Sequence, residues 1–250
     1  MDLQLQQYLR STASLGRDVE RVGPFVATFD RGTDNPYLNY AIPDDDARPT
    51  ADEVAALIEA YERRGRIPRL EFLPAAAPEA EAALLAGGLT LESRLPLMTC
   101  TAATAVALAE PDGIRLERPS TDEDLLGMRA AQNAAFGAGP PDPDRVAGMR
   151  ESLAAGTLFA LARDADTGEI VGGAVASVPG DGVTELAGIG VRDSHRRRGI
   201  AGALTARLTA EAFAAGVRTA FLTPGHDEAF SVYARAGYAP TTEMVHIRKV

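Results

Sequence analysis

The sequence predicts an α/β fold, with a mixed central sheet flanked by helices, and three observations carry that prediction. Short apolar runs of strand length alternate with segments of helical spacing through the second half of the chain. A basic, glycine-containing loop joins one such strand directly to one such helix, at residues 191–202. A fainter copy of the same order fills the first half, so the fold reads as duplicated, with a diverged N-terminal copy.

Along the first half, Thr50-x-x-Glu53 is a capping box that opens a helix over 51–64, closed by Gly65. Residues 69–100 then align without a gap on residues 218–249, a constant offset of 149. Phe72-Leu73 falls on Phe221-Leu222, Glu79-Ala80 on Glu228-Ala229, and Gly88 on Gly237. A seam at 101–113, small residues followed by a Pro-Asp-Gly turn, separates the halves, giving domains at 1–105 and 112–250. Beyond it, 114–119 reads as a strand. A helix over 122–136 follows, opened by a capping signal at Ser120-Thr121-Asp122-Glu123. The loop 137–144 is rich in Gly and Pro, and 145–155 is a second helix. Strands at 158–163 and 171–178 are joined by a hairpin turn at Asp166-Thr167-Gly168. A strand at 184–191 precedes the basic loop. The helix over 199–215 places Ile200, Leu204, Leu208 and Ala212 on one face. A short strand at 219–223, a helix at 227–236 and a last strand at 244–248 complete the order β-α-α-β-β-β-α-β-α-β.

Bulk properties narrow the class. At 250 residues, with 46% hydrophobic and 24% charged, the chain has the composition of a globular protein with ample core. No apolar run approaches the roughly 18 residues of a spanning helix, and the first residues lack the basic-then-apolar order of a signal peptide. Cys100 is the only cysteine, which suits a reducing compartment and is expected to be structural. The expected location is the cytoplasm, with no membrane partner. A net charge of −10 argues against a nucleic-acid partner, since phosphate-backbone affinity comes mainly from Lys and Arg. Oligomeric state is left open, a homodimer included.

Against that negative background, four arginines fall within seven residues: Arg192, Arg196, Arg197 and Arg198. They sit where an apolar strand ends and a helix opens at Gly199. A helix start exposes unpaired amides and a partial positive charge, which together attract anions. Glycine there allows close backbone approach. A solvated basic face or a nucleic-acid patch are the alternatives. The dinucleotide fingerprint and the P-loop lysine pattern are both absent.

Arg196-Arg197-Arg198-Gly199-Ile200-Ala201 matches Gln/Arg-x-x-Gly-x-Gly/Ala. Downstream, Ala229, Tyr233, Gly237 and Tyr238 stand at the spacing Asn-x-x-Ala-x-x-x-Tyr-x-x-x-Gly-Phe/Tyr. On these residues the stretch 114–250 resembles the GNAT acetyltransferase superfamily. The resemblance implies acetyl-CoA as acyl-donor substrate and no metal. It also implies a pyrophosphate site at Arg196, Arg197, Arg198, Gly199, Ile200, Ala201 and Gly202, and backbone pairing of the pantetheine arm with Ile189, Gly190 and Val191. Ala229 and His226 would complete the cofactor contacts, although His226 replaces the family's asparagine. Tyr233 would be the general acid. The glycines of Gly188-Ile189-Gly190 suggest a bulge or a close approach, or only room for a neighbouring helix.

Acyl transfer to an amine needs a base as well, because an alkyl ammonium has a pKa near ~10. Glu185 is the candidate, with an exposed strand-start glutamate as the plain alternative. Strand alternation puts Glu185, Ala187 and Ile189 on one face. His195, His226 and His246 show no metal-ligand spacing. In the first half, Asp44-Asp45-Asp46 falls where the copy would place the arginine loop, and Leu84 stands where the second half has Tyr233. That half is therefore expected to be a silent, degenerate copy that shapes the substrate cleft. The expected reaction is direct transfer of acetyl from acetyl-CoA to a primary amine on a small molecule, in a ternary complex. A protein N-terminus or lysine is the alternative acceptor, and a non-catalytic CoA-binding sensor the alternative class.

Overall fold

The computed structural model describes the backbone of residues 1–250 and every side chain except that of Asp227. The chain forms two compact units: Met1–Leu97 with Pro240–Val250, and Met98–Ala239. The first contains α1 (Asp2–Ala13), β1 (Asp18–Val22), β2 (Phe25–Phe29), β3 (Ala41–Pro43), α2 (Ala51–Glu62), β4 (Arg69–Phe72), α3 (Ala80–Ala86) and the start of β5 (Thr90–Thr101). The second takes the end of β5, then β6 (Ile114–Glu117), α4 (Asp122–Ala135), α5 (Val146–Ala154), β7 (Leu158–Asp164) and β8 (Ile170–Ala176). β9 (Val183–Val191), α6 (Ile200–Ala214), β10 (Thr219–Leu222) and α7 (Asp227–Arg235) follow, and β11 (Ala239–Arg248) ends the chain. The element order expected for 114–250 is the order observed.

The last strand departs from the expected division at 1–105 and 112–250. β11 is longer than the expected 244–248 and pairs antiparallel with β4, Val245↔Phe72 to Arg248↔Arg69, inside the first unit. Conversely, Met98–Thr101 of β5 pair with β10, Leu222↔Met98 to Thr219↔Thr101, inside the second. Each sheet is thus completed by a strand from the other half of the sequence. Strand order is β1-β2-β3-β4-β11-β5 in the first unit and β5-β10-β9-β8-β7-β6 in the second. The seam residues also belong to the second unit: Val106 N–H donates to the Ala236 carbonyl, and Leu108 lies against Gly202.

Both sheets are mixed. β3–β4 and β9–β10 are parallel, and the flanking pairs antiparallel. The first unit's core gathers Phe25, Phe29, Leu57, Tyr61, Leu70, Phe72 and Leu84, with Val245 and Ile247 from β11. The second unit has a core on each face of its sheet. One lies under α6 and α7 and includes Leu186, Val191, Ile200, Leu204 and Leu208. The other lies under α4 and α5 and includes Leu125, Met128, Met149, Phe159 and Leu161. Full burial of such a side chain stabilises by roughly 1.5–3 kcal/mol.

The helix starts follow the sequence signals with one shift. Thr50 and Glu53 form the expected capping box on α2. On α4 the box is Thr121 with Asp124, one position later than the Ser120–Glu123 reading; Ser120 joins it by donating from its N–H and Oγ to the same Asp124 carboxylate. Asp44 and Asp45, on a loop open to solvent, pair with Arg21 and Arg10 at 2.8 and 2.7 Å.

Candidate active site

β9 provides the platform. Its parallel pairing with β10 stops at Glu185↔Phe221, so the edge of residues 186–191 towards β10 carries no strand partner. Its other edge stays paired with β8 as far as Gly172↔Val191. Within that pairing, Val175↔Ala187 is followed by Gly173↔Gly190, so Gly188 and Ile189 both oppose Ala174. This is a β-bulge, and Gly188 supplies the positive φ of +59° it needs.

The bulge changes which way side chains point. Ala187 is level with Val175, which packs under α4, whereas Leu186 and Ile189 join the core under α6. Glu185 and Ala187 therefore share the α4 face, but Ile189 does not, contrary to simple alternation. The extra residue shifts the phase. Gly188 and Gly190 both back onto α4: an added Cβ would lie 2.8 Å from Gln132 Nε2 and 3.0 Å from Ala135 Cβ, respectively. The glycines therefore serve the packing of the helix, while the strand edge beyond remains open. Gln132, 1% exposed, donates from Nε2 to the Gly188 carbonyl at 2.7 Å. Its Oε1 is buried without a partner among the described residues.

After β9 the chain makes a 3-10 turn at Asp193–His195 and enters α6 through Gly199, which is left-handed at φ +82°. Arg197 is also left-handed, at φ +62°. No side chain caps α6, and the Ala203 N–H to Gly199 carbonyl bond is the helix's first. The amides of Ile200, Ala201 and Gly202 are thus left for an anion.

The arginines divide by task. Arg196 clamps the loop, donating to the carbonyls of Val191 and Ala135 and pairing with Asp193. Arg198 donates to the Asp112 carbonyl, and Arg192 to the Ile170 carbonyl. Arg197 is exposed and, among the described residues, without a hydrogen-bond or ion-pair partner. His195 bridges Ser194 and Asp164. The Thr167 amide first, and then His195, hold the Asp164 carboxyl at about 2.

An open cleft lies over this loop, lined by Val191, His195, Arg196, Arg197, residues 199–202, and Val232 and Arg235 from α7. Ile189 and Gly190 are outside it on the open strand edge, and Arg198 faces away. His226 and Ala229 are not in the lining either. His226 Nδ1 accepts from the Ala229 amide at 3.3 Å and caps α7, a task an asparagine could equally perform. Tyr233 packs against the core under α6, and burial pushes its phenol above the usual value. Its hydroxyl has no hydrogen-bond partner among the described residues, unlike that of neighbouring Tyr238, which bonds Thr209 at 2.7 Å. Glu185 and Tyr233 accordingly belong to opposite faces of the sheet. Cys100 is buried on β5, its thiol raised by burial.

Residues 126–238 match the model of the Acetyltransferase (GNAT) family. This stretch is a GNAT acetyltransferase domain. Similar solved structures include a GCN5-related N-acetyltransferase from Kribbella flavida, 27% identical, covering all of this chain and 95% of that one at a TM-score of 0.81. A GCN5-related N-acetyltransferase from Sphaerobacter thermophilus is 22% identical, with coverages of 90% and 76% and a TM-score of 0.65. A tandem GNAT protein from the clavulanic acid biosynthesis pathway is 15% identical, with coverages of 97% and 86% and a TM-score of 0.66. No curated protein matches the chain. The protein is an acetyl-CoA-dependent acetyltransferase.

Three features of the GNAT domain were invisible in the sequence. Arg235 reaches the cleft only because α7 lies along α6, where an added Cβ on Gly202 would sit 3.6 Å from Val232. Gln132 acts on β9 from 56 residues away. The rephasing of Ile189 needs the bulge. None of these leaves a local periodic signal.

Proposed function

We propose that the GNAT domain transfers the acetyl group of acetyl-CoA directly to a primary amine of a small molecule in a ternary complex. The observation that carries this is the uncapped, glycine-led start of α6 beside the unpaired edge of β9. One feature suits a diphosphate and the other an extended amide-bearing arm. When bound, acetyl-CoA supplies a thioester whose carbonyl carbon can form the new C–N bond as the C–S bond breaks.

The amides of Ile200, Ala201 and Gly202, with Arg197 and Arg235, hold the diphosphate, while Arg196 and Arg198 keep the loop in shape. The open edge at Ile189, Gly190 and Val191 hydrogen-bonds the pantetheine arm and leaves an amide to polarise the carbonyl. Glu185, from the α4 face, takes the ammonium proton. Tyr233, from the α6 face, keeps its proton throughout the neutral range and donates it to the departing sulfur. The buried, protonated thiol of Cys100 is a poor nucleophile, which favours direct attack over an acetyl-enzyme.

The first unit lacks these features, and we read it as a degenerate GNAT-like copy that binds no acetyl-CoA. The single cysteine suits a cytoplasmic location. The test is release of free CoA thiol from acetyl-CoA across panels of small amines and of peptides. Amine-dependent release, lost in Glu185→Gln, is expected with small amines. Release with peptides alone would move the acceptor to proteins, and cofactor binding without release from any amine would make the domain a sensor.

A further inference from the structure

Gln132 of α4 occupies a slot that three glycines leave open. Cβ atoms added to Gly173 of β8 and to Gly188 and Gly190 of β9 would lie 3.2 Å from its Cγ, 2.8 Å from its Nε2 and 3.3 Å from its Cα. A Leu or Met would fill the same space and carry no acceptor to strand. In the second unit, among the described residues, the Arg207 Nε is also buried without a hydrogen bond, but it pairs with Glu211. The Gln132 Oε1 has no partner, and burying such an acceptor is costly. What the glutamine brings that an apolar side chain lacks is the N–H on the Gly188 carbonyl. A flipped amide would set two oxygens face to face, so the place of the donor is fixed.

That bond sets the direction of a peptide. No peptide bond of the chain is cis, and in a planar trans peptide the carbonyl and the following N–H point opposite ways. With the Gly188 carbonyl held towards α4, the Ile189 N–H is turned away from α4, to the side on which Ile189 and Tyr233 pack under α6. The tether acts at the one place on β9 that needs it. Gly188 and Ile189 together oppose Ala174, so the ladder is disrupted there. The edge towards β10 has no strand partner, and Gly188 has no side chain to restrict its rotation.

We infer that Gln132 is a positioning residue for acetyl transfer: by holding the Gly188 carbonyl, it aims the Ile189 amide at the thioester carbonyl of the acyl donor. This rests on the reading that the open edge of β9 receives the pantetheine arm, and it names the side chain that prepares that edge. A donor fixed before the charge develops stabilises it without reorganising.

The experiment binds acetyl-CoA carrying carbon-13 at its thioester carbonyl to the intact protein, with no amine present. The carbonyl resonance is expected to move downfield on binding to wild type and to return most of the way to the free value in Gln132→Leu. With an accepted amine, Gln132→Leu should lower kcat at least about tenfold, with acetyl-CoA Kd within about threefold. Should Gln132→Leu fail to fold, Gln132→Met carries the same expectations. Gln132→Glu supplies a readout that a packing role would not move. A carboxylate cannot donate to the Gly188 carbonyl, a carboxylic acid can, and burial raises the pH at which one becomes the other. Its kcat relative to wild type, measured well below both melting temperatures, should therefore climb from about a tenth towards parity as pH falls. An unshifted resonance in wild type, a shift kept in Gln132→Leu, or a ratio flat with pH overturns the inference. A shift lost in Gln132→Leu when no amine is acetylated upholds the inference while the amine-acceptor reading fails; acetylated amines without any shift do the reverse.

Discussion

The two units have the same strand and helix order after their first helices, yet they finish the same places in opposite ways. α2 starts with a complete Thr50–Glu53 capping box behind three aspartates; α6 starts uncapped at Gly199 behind three arginines. In the first unit, Gln6 of α1 donates to the Pro43 carbonyl of β3 and accepts from the Leu73 amide after β4, both at 3.0 Å. It therefore staples shut the gap beyond the last β3–β4 pair, Ala41↔Leu70. In the second unit, Gln132 of α4 holds the Gly188 carbonyl, but its Oε1 is left without a partner beside the β9–β10 gap. Leu84 is sealed in the first core, whereas Tyr233 keeps a free hydroxyl. One unit spends these polar groups on itself; in the other, the Gln132 Oε1 and the Tyr233 hydroxyl stay without a partner among the described residues.

The comparison is most easily broken at the helix start. Gly199→Glu should weaken acetyl-CoA binding at least about 100-fold by calorimetry. It adds about 1–2 kcal/mol of left-handed strain and a carboxylate where an anion binds, each unit charge pair at 4 Å being worth about 4 kcal/mol at a surface-like dielectric. Gly199→Ala, with the strain alone, should cost about tenfold. Unchanged affinity in Gly199→Glu would show that the uncapped start is not the cofactor site.

Tyr233→Phe comes next, with kcat expected to fall about 10²-fold while acetyl-CoA Kd holds. A drop in Tm without a drop in kcat would leave Tyr233 as core only. The two glutamines sharpen the contrast further. Gln6→Leu strands a buried carbonyl and a buried amide, at about 1–3 kcal/mol each, and should lower Tm by roughly 5–10 °C without touching acetyl-CoA affinity. Gln132→Leu loses one bond but also removes an orphaned acceptor, so Tm should move little. The freed bulge should slow acetyl transfer about tenfold or more. Equal thermal losses in the two variants would end the distinction between a closed and an open gap.

The smallest effect is acid sensitivity. Asp124 and Asp164, both in the second unit, are held at about 2. For Asp124, burial opposes the shift and the Ser120 amide and Arg163 drive it; for Asp164, the Thr167 amide and His195 drive it. Against an unfolded value near ~3.9, their stabilisation is present above about pH 4 and is lost as pH falls towards about 2. Melting temperatures from pH 5 to 2 should decline more gently in Asp164→Asn than in wild type, and parallel curves would assign the pair no net role.

Much of the second unit was legible because its signals are local. The helical spacing from Ile200 to Ala212, the turn at Asp166-Thr167-Gly168, and a glycine between arginines and a helix each state a backbone preference without reference to distant residues. Even errors were small where chemistry was local, as with the cap that moved from Ser120 to Thr121. The ion pairs of the aspartate run left no local signal, because its partners, Arg10 and Arg21, lie 35 and 23 residues away.

The sequence by itself determined the α/β order, the helix starts and the anion-seeking loop, since propensity, capping and charge act over a few residues. Tertiary structure alone decided that β11 closes the first sheet and the end of β5 the second. It also decided that a bulge turns Ile189 away from Glu185, and that Gln132 and Arg235 stand where they do. Strand pairing, bulge phase and the lining of a cleft depend on which segments meet across the fold, and a linear pattern carries no record of that meeting.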